Sequence, residues 1–220
     1  MFTELPRIQE RATARDEDAA ACERHEPHPY RIVTCEPDHP ARHEAETFVR
    51  DAFFRTHRAS IRTFMPTLLT LVDASGSLHA VAGARLAANE KLFLERYLPR
   101  PIDALLAARG GVPPARAQIV EIGNFACRGS RIARRFLALL PFYLLDRKLT
   151  WVTFTATAAV RRLLHNIGAR CMELGVADGA CARDGADDWG RYYTHDPRVM
   201  AGYLPLARRI PALLDAAYGN

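Results

Sequence analysis

Arg128, Arg131, Arg134 and Arg135 fall within eight residues (128–135), directly after the apolar run AQIVEIGNFAC (117–127) and before the apolar run FLALLPFYLL (136–145). The second run reads as a helix, and positive charge at a helix start opposes its dipole, so a bound anion explains the cluster best. Gly129 lets backbone N–H groups approach such a ligand. The phosphate end of a carrier suits this arrangement, either coenzyme A or the phosphopantetheine arm of an acyl carrier protein. The bland alternatives are a solvated helix start or a nucleic-acid patch. No run of stacking aromatics accompanies the arginines, which disfavours nucleic acid as a partner.

Glu121 stands inside the preceding apolar strand, where a lone carboxylate is costly unless it is paired or functional. As a base with a burial-raised pKa, it takes a proton from an attacking amine. As a structural group, it pairs with an arginine such as Arg85. The two-residue repeat of a strand sends Glu121 and Asn124 to opposite faces. A bulge at Gly123 brings both to one face and opens the sheet there. Cys127, without an evident histidine partner, reads as a small buried hydrophobe rather than a nucleophile. DWGRYY (188–193) gathers aromatics in a polar stretch. There Tyr192 or Tyr193 either protonates a departing thiolate, walls an acyl pocket, or anchors the C-terminal arm.

These residues need a scaffold, and composition bounds it. A chain of 220 residues, 49% hydrophobic and 25% charged, suits one domain with a real core. Residues 1–28 read as a polar tail and 29–220 as the domain. The net charge of +5 is almost all arginine, since Lys91 and Lys148 are the only lysines. Five cysteines without a Cys-x-x-Cys pair argue against a disulfide framework or zinc ribbon and fit a reduced cytoplasm. The first twenty residues are too charged for a secretory signal. Phe136–Leu145 is about half a membrane span, so no membrane insertion is expected. His25 and His28 near Glu23, and His39 and His43 near Glu46, lack further ligands, so no metal is expected.

Strands are expected at 30–34, 67–72, 78–86, 117–127, 150–157 and 170–174. The 67–72 and 78–86 pair forms a hairpin around the Gly76 turn. Helices are expected at 40–55, 89–97, 102–108, 136–149 and 158–169. Gly175–Asp188 reads as a loop or weak helix, and Val199–Leu214 as a helix interrupted by Pro205 and Pro211. A hairpin followed by a βαβ unit predicts an α/β (α+β) fold, a mixed sheet with helices on both faces.

This order is similar to that of GNAT-fold acyl-CoA N-acyltransferases. More specifically, FMPTLL (64–69), AVAGARLA (80–87), LFLERYL (92–98), VEIGNFA (120–126), WVTFTATAAVRRLL (151–164) and DWGRYY (188–193), in that order, resemble the thermostable haemolysin family. That family has GNAT-like architecture and kinship to acyl-homoserine lactone synthases. The resemblance runs from about Tyr30 to Gly202. It implies two parallel strands that splay apart and pair with a pantetheine arm. Acyl transfer from acyl-CoA or acyl carrier protein to a small amine acceptor follows from it. Asn124 and the amides of Phe125 and Ala126 then hold the thioester carbonyl and its oxyanion. Arg128, Gly129, Arg131 and Arg134 hold the phosphates. Asn166 either touches the pantetheine or sits on the helix surface beside Gly168. Lactone synthases carry Glu-x-x-Arg where this chain has Glu121 and Asn124, so acyl transfer is implied rather than lactone formation from S-adenosylmethionine. The phosphate loop has one glycine and extra arginines, which makes an anionic carrier protein plausible. Two other readings are open: a membrane-active haemolysin, and a non-catalytic carrier-binding domain of the same fold.

Overall fold

Alternating apolar and β-branched residues build the first half of the sheet. Tyr30–Cys35 (β1), Thr67–Asp73 (β2) and Leu78–Leu86 (β3) pair as an antiparallel meander. Asp73 closes the β2–β3 turn by accepting from the amides of Ser75 and Ser77 at 2.9 and 3.0 Å, while Gly76 takes φ 86°. The structure is a computed structural model that describes residues 30–110, 114–182 and 188–218. The expected N-terminal tail, with Cys22, His25 and His28, lies outside the described residues.

Arg42–His57 (α1) buries Ala45, Val49 and Phe53 along one stripe. Arg42 ties its start to the sheet, donating to the carbonyls of Cys35, Met65 and Pro66. The remaining elements are Ile102–Gly110 (α2), Ile119–Cys127 (β4), Ser130–Asp146 (α3), Trp151–Ala156 (β5), Ala158–Asn166 (α4), Cys171–Val176 (β6), Arg198–Tyr203 (β7) and Pro211–Tyr218 (α5). The seven strands run β1-β2-β3-β4-β5-β7-β6, with β4 and β5 the parallel pair. One face packs on α1, α2 and a 3-10 turn at Phe93–Tyr97; the other packs on α3, with α4 and α5 beyond it. This is the expected mixed sheet with helices on both faces.

Two expectations are corrected. Val199–Leu214 is not a helix throughout. Arg198–Tyr203 forms β7, a 3-10 stretch follows at Leu204–Arg209, and α5 begins at Pro211. Strand β7 inserts between β5 and β6, so Val199, Met200 and Ala201 are covered on both faces. An apolar run buried on two sides has no period to separate strand from helix. The expected helix at 89–97 shrinks to the turn at Phe93–Tyr97, whose start is held by the turn's own Glu95 and by Glu121 from β4. The stretch 175–188, expected as a loop or weak helix, carries the end of β6 and then a loop with a short 3-10 turn at Gly179–Ala182; residues 183–187 lie outside the described part.

Candidate active site

The parallel pair parts. Strands β4 and β5 are in register from Ile119–Trp151 to Ile122–Phe154 and no further. Beyond that point Gly123–Cys127 and Thr155–Ala156 face each other as unpaired lips. The cause lies on the other side of β4. Its register with β3 slips between the Gly83–Gly123 pair and the Val81–Ala126 pair, leaving Asn124 and Phe125 opposite Ala82 alone. Such a bulge bends its strand and increases the local twist. It falls one residue beyond Gly123, the expected position, because Asn124 itself takes the left-handed conformation at φ 45°.

Glycines hold the segment before β2 against this bend. A Cβ on Gly123 would lie 2.5 Å from Met65 Cε, and one on Gly83 would lie 2.8 Å from Asn124 Oδ1. Asn124 Oδ1 accepts from the amide of Met65 at 2.9 Å. Glu121, only 2% exposed, accepts from the amides of Phe93 at 2.7 Å and Leu94 at 3.0 Å. The bulge therefore does bring Glu121 and Asn124 to one face, the one toward α1. Burial pushes the Glu121 carboxyl up to about 7, against the pull of the Phe93 amide, the Arg85 charge and the Leu94 amide. Arg85 is its cross-strand neighbour on β3, but the guanidinium makes its ion-pair contact with Glu90, at 3.3 Å. The alternative of a direct Glu121–Arg85 ion pair is thus not what the chain adopts.

A cavity of about 220 Å³ has walls from both lips and both faces of the sheet. Toward α1 it meets Phe53, His57, Met65, Arg85, Phe93, Trp189 and Tyr192; toward α3, α4 and α5 it meets Leu137, Leu140, Phe154, Val160, Leu164 and Leu213. Helix α3 buries Phe136, Leu140 and Leu144 and shows no bare apolar face. The exposed large hydrophobic residues among those described, Phe54, Leu86, Val176 and Tyr203, lie on four separate elements. No described helix is long and apolar enough to cross a membrane.

At the end of the β4 lip, Gly129 adopts φ 85° and starts α3 without a side-chain cap. The first-turn amides are therefore left for another acceptor. Arg128, Arg131 and Arg134 are exposed, and among the described residues none has a carboxylate at ion-pair distance. The Arg128 guanidinium sits 5.6 Å from the Phe48 ring, so it leans toward α1. Arg135 is half-buried along the helix.

The aromatic residues divide. Tyr192 lines the cavity, and its hydroxyl donates to the Thr155 carbonyl on the β5 lip at 3.5 Å. Burial raises its pKa, as does the nearby Tyr193, which makes it a hydrogen-bond donor rather than a proton source for a thiolate. Tyr193 hydrogen-bonds the Tyr97 hydroxyl at 2.6 Å and is absent from the cavity wall. Phe125 stacks on Phe136 on the α3 side, and Ala126 is buried against the α1 core. Asn166 is exposed at the end of α4 and is not among the residues lining the cavity. Burial raises the Cys127 thiol pKa, consistent with a packing role. Among the described residues no group of His, Cys, Asp and Glu could hold a metal ion.

Sequence reasoning passed over His57. It lines the cavity at the end of α1, with its ring 5.2 Å from Tyr192 and 5.1 Å from His195, and with Nδ1 buried and without a hydrogen-bond partner among the described residues. Burial, His195 and Arg191 lower its pKa. No local signal marks it, since its neighbours arrive from the far end of the chain.

An α/β sheet parted between two parallel strands, with an uncapped helix start at the end of one lip, is the GNAT-like architecture. The chain belongs to the thermostable hemolysin family, whose model matches residues 35–207. No match is found among curated proteins. Among solved structures, the CoA-dependent acyl-homoserine lactone synthase MesI is 19% identical, with a TM-score of 0.53 over 86% of this chain and 96% of its own. FeeM, an N-acyl amino acid synthase from uncultured soil microbes, is 17% identical, with a TM-score of 0.54 over 82% and 95%. BjaI, a second CoA-dependent lactone synthase, is 11% identical, with a TM-score of 0.57 over 84% and 88%. At such identities the likeness is one of fold.

Proposed function

We propose that the protein transfers an acyl group from a thioester donor, acyl-CoA or acyl carrier protein, to an amine. The observation that carries this reading is the parted β4–β5 pair with a cavity through it and an uncapped, arginine-flanked helix start at its edge. The open lips offer backbone groups to the amides of a pantetheine arm. The α3 amides, with Arg128, Arg131 and Arg134, receive its phosphates. The structural neighbours that are named as acyl-transferring synthases, one of them solved with SAM and isopentyl-CoA, support the same use of the fold.

In this mechanism the amine nitrogen attacks the thioester carbonyl. A C–N bond forms, the C–S bond breaks, and the thiolate leaves and takes up a proton from water. Glu121 accepts the proton released by the amine, a task suited to a carboxyl poised near neutrality. The amides of Phe125 and Ala126, beside the bulge, hold the oxyanion. Asn124 positions them through its bond to Met65. Tyr192 walls the site from the β5 lip, its hydroxyl held on the Thr155 carbonyl, and Tyr193 supports the wall through Tyr97. Donors of this kind belong to the cytoplasm.

Thiol release from acyl-CoA and acyl carrier protein, measured over a panel of amines, tests this directly. Wild type should turn over, and Glu121→Gln should lose about 10²- to 10⁴-fold while remaining folded. CoA should raise the melting temperature, and Arg131→Ala with Arg134→Ala should diminish that rise. No turnover with any donor, together with no shift by CoA, overturns the reading.

A further inference from the structure

Arg85 and Glu121 are register partners on β3 and β4, and both line the α1 side of the cavity. The Arg85 side chain is only 17% exposed. Its Nε is buried without a hydrogen bond, and the Glu90 carboxylate approaches it from a half-exposed position at 3.3 Å. That Nε–H, without a hydrogen-bond acceptor among the described residues, leaves a place for a second anion. Glu121 does not fill it: its oxygens accept from the amides of Phe93 and Leu94, each with acceptor capacity to spare. Around this pair the wall is aromatic, made by Phe53, Phe93, Trp189 and Tyr192.

We infer that the acceptor is an α-amino acid with an apolar side chain, its carboxylate held by Arg85 and its amine directed to Glu121. A cation and a carboxyl on adjacent strands match the two ends of such a molecule, and the aromatic wall matches its side chain. A simple amine leaves Arg85 unsatisfied and binds more weakly for that reason. This inference rests on the acyl-transfer reading and narrows its acceptor.

The test compares leucine with 3-methylbutylamine, and phenylalanine with phenethylamine, as acceptors. Octanoyl-CoA and octanoyl acyl carrier protein serve as donors, and thiol release and amide product are followed together. Wild type should favour each amino acid by about tenfold or more in kcat/KM, the discrimination a charged, bidentate contact gives. Arg85→Gln should erase that preference while still acylating the simple amine, and Arg85→Lys should restore part of it. Equal use of amino acid and amine by wild type overturns the inference while leaving acyl transfer standing. A preference that survives Arg85→Gln does the same. Should no acceptor be acylated by either donor, the transferase reading falls and this inference with it. The wild-type comparison decides the matter even if the Arg85 variants fail to fold.

Discussion

The chamber around Glu121 and the loop at the start of α3 flank the same gap but are built differently. In the chamber, Glu121 and Asn124 are locked by backbone amides, and Gly83 and Gly123 are hemmed in by Met65. In the loop, the arginines stand exposed, the helix start is uncapped, and a Cβ on Gly129 would meet nothing within 4 Å. The first region is organised before any ligand arrives, so its side chains serve stability and chemistry together. The second waits for an anion, and its side chains should serve binding alone.

Removing Glu121 offers the hardest test of that contrast. Glu121→Ala strands the amides of Phe93 and Leu94 in a buried place and should cost about 2–4 kcal/mol in denaturant unfolding. Glu121→Gln, which keeps an acceptor oxygen, should cost less. An alanine variant as stable as wild type breaks the distinction between the regions. Next comes Asn124→Ala, which loses the bond to Met65 and puts alanine at positive φ, for about 1–3 kcal/mol. Asn124→Gly, relieved of the backbone strain, should recover part of that loss.

The pH response separates carboxyls inside the chamber's own framework. With the Glu121 pKa raised from 4.5 to about 7, the folded protein holds a proton that the unfolded chain releases. Its contribution to stability is full below pH 4.5 and is lost as pH rises through about 7. Glu95 behaves in the opposite sense. Burial pushes its pKa up, but Arg116 and the amides of Ile102 and Leu92 outweigh burial and hold it low. Its stabilising effect is present above the usual carboxylate range and fades on acidification. Unfolding curves of wild type and Glu121→Gln, taken across pH 4 to 8, should therefore converge or diverge in step with the Glu121 titration alone.

The loop should show the smallest effect on stability. Arg131→Ala with Arg134→Ala should change unfolding by no more than about 0.5 kcal/mol per site. The same variant should weaken CoA binding and flatten its dependence on salt, read by titration at two ionic strengths. A large loss of stability there would mean that the arginines are structural after all.

Much of this was legible in the chain. The Gly76 hairpin, the α1 stripe, the β4-α3-β5-α4-β6 succession and the arginine loop each carry their signal within one short window. So did the buried Glu121 and the bulge, since a glycine in mid-strand marks a departure from regular pairing. Strand β7 left no such mark, because burial on both faces erased its alternation. Asn166 could not be placed, because only packing decides which side of a helix end meets a ligand.

By itself, the sequence determined the mixed α/β order, the break in β4 and the charge at the head of α3, because backbone propensity, glycine and charge density act over a few residues. Tertiary structure alone decided that Glu121 bonds the Phe93–Tyr97 turn instead of Arg85, that His57 faces Tyr192 and His195, and that β4 and β5 part after Ile122 and Phe154. Those outcomes depend on which distant segments share a buried volume, and distance along the chain carries no record of it.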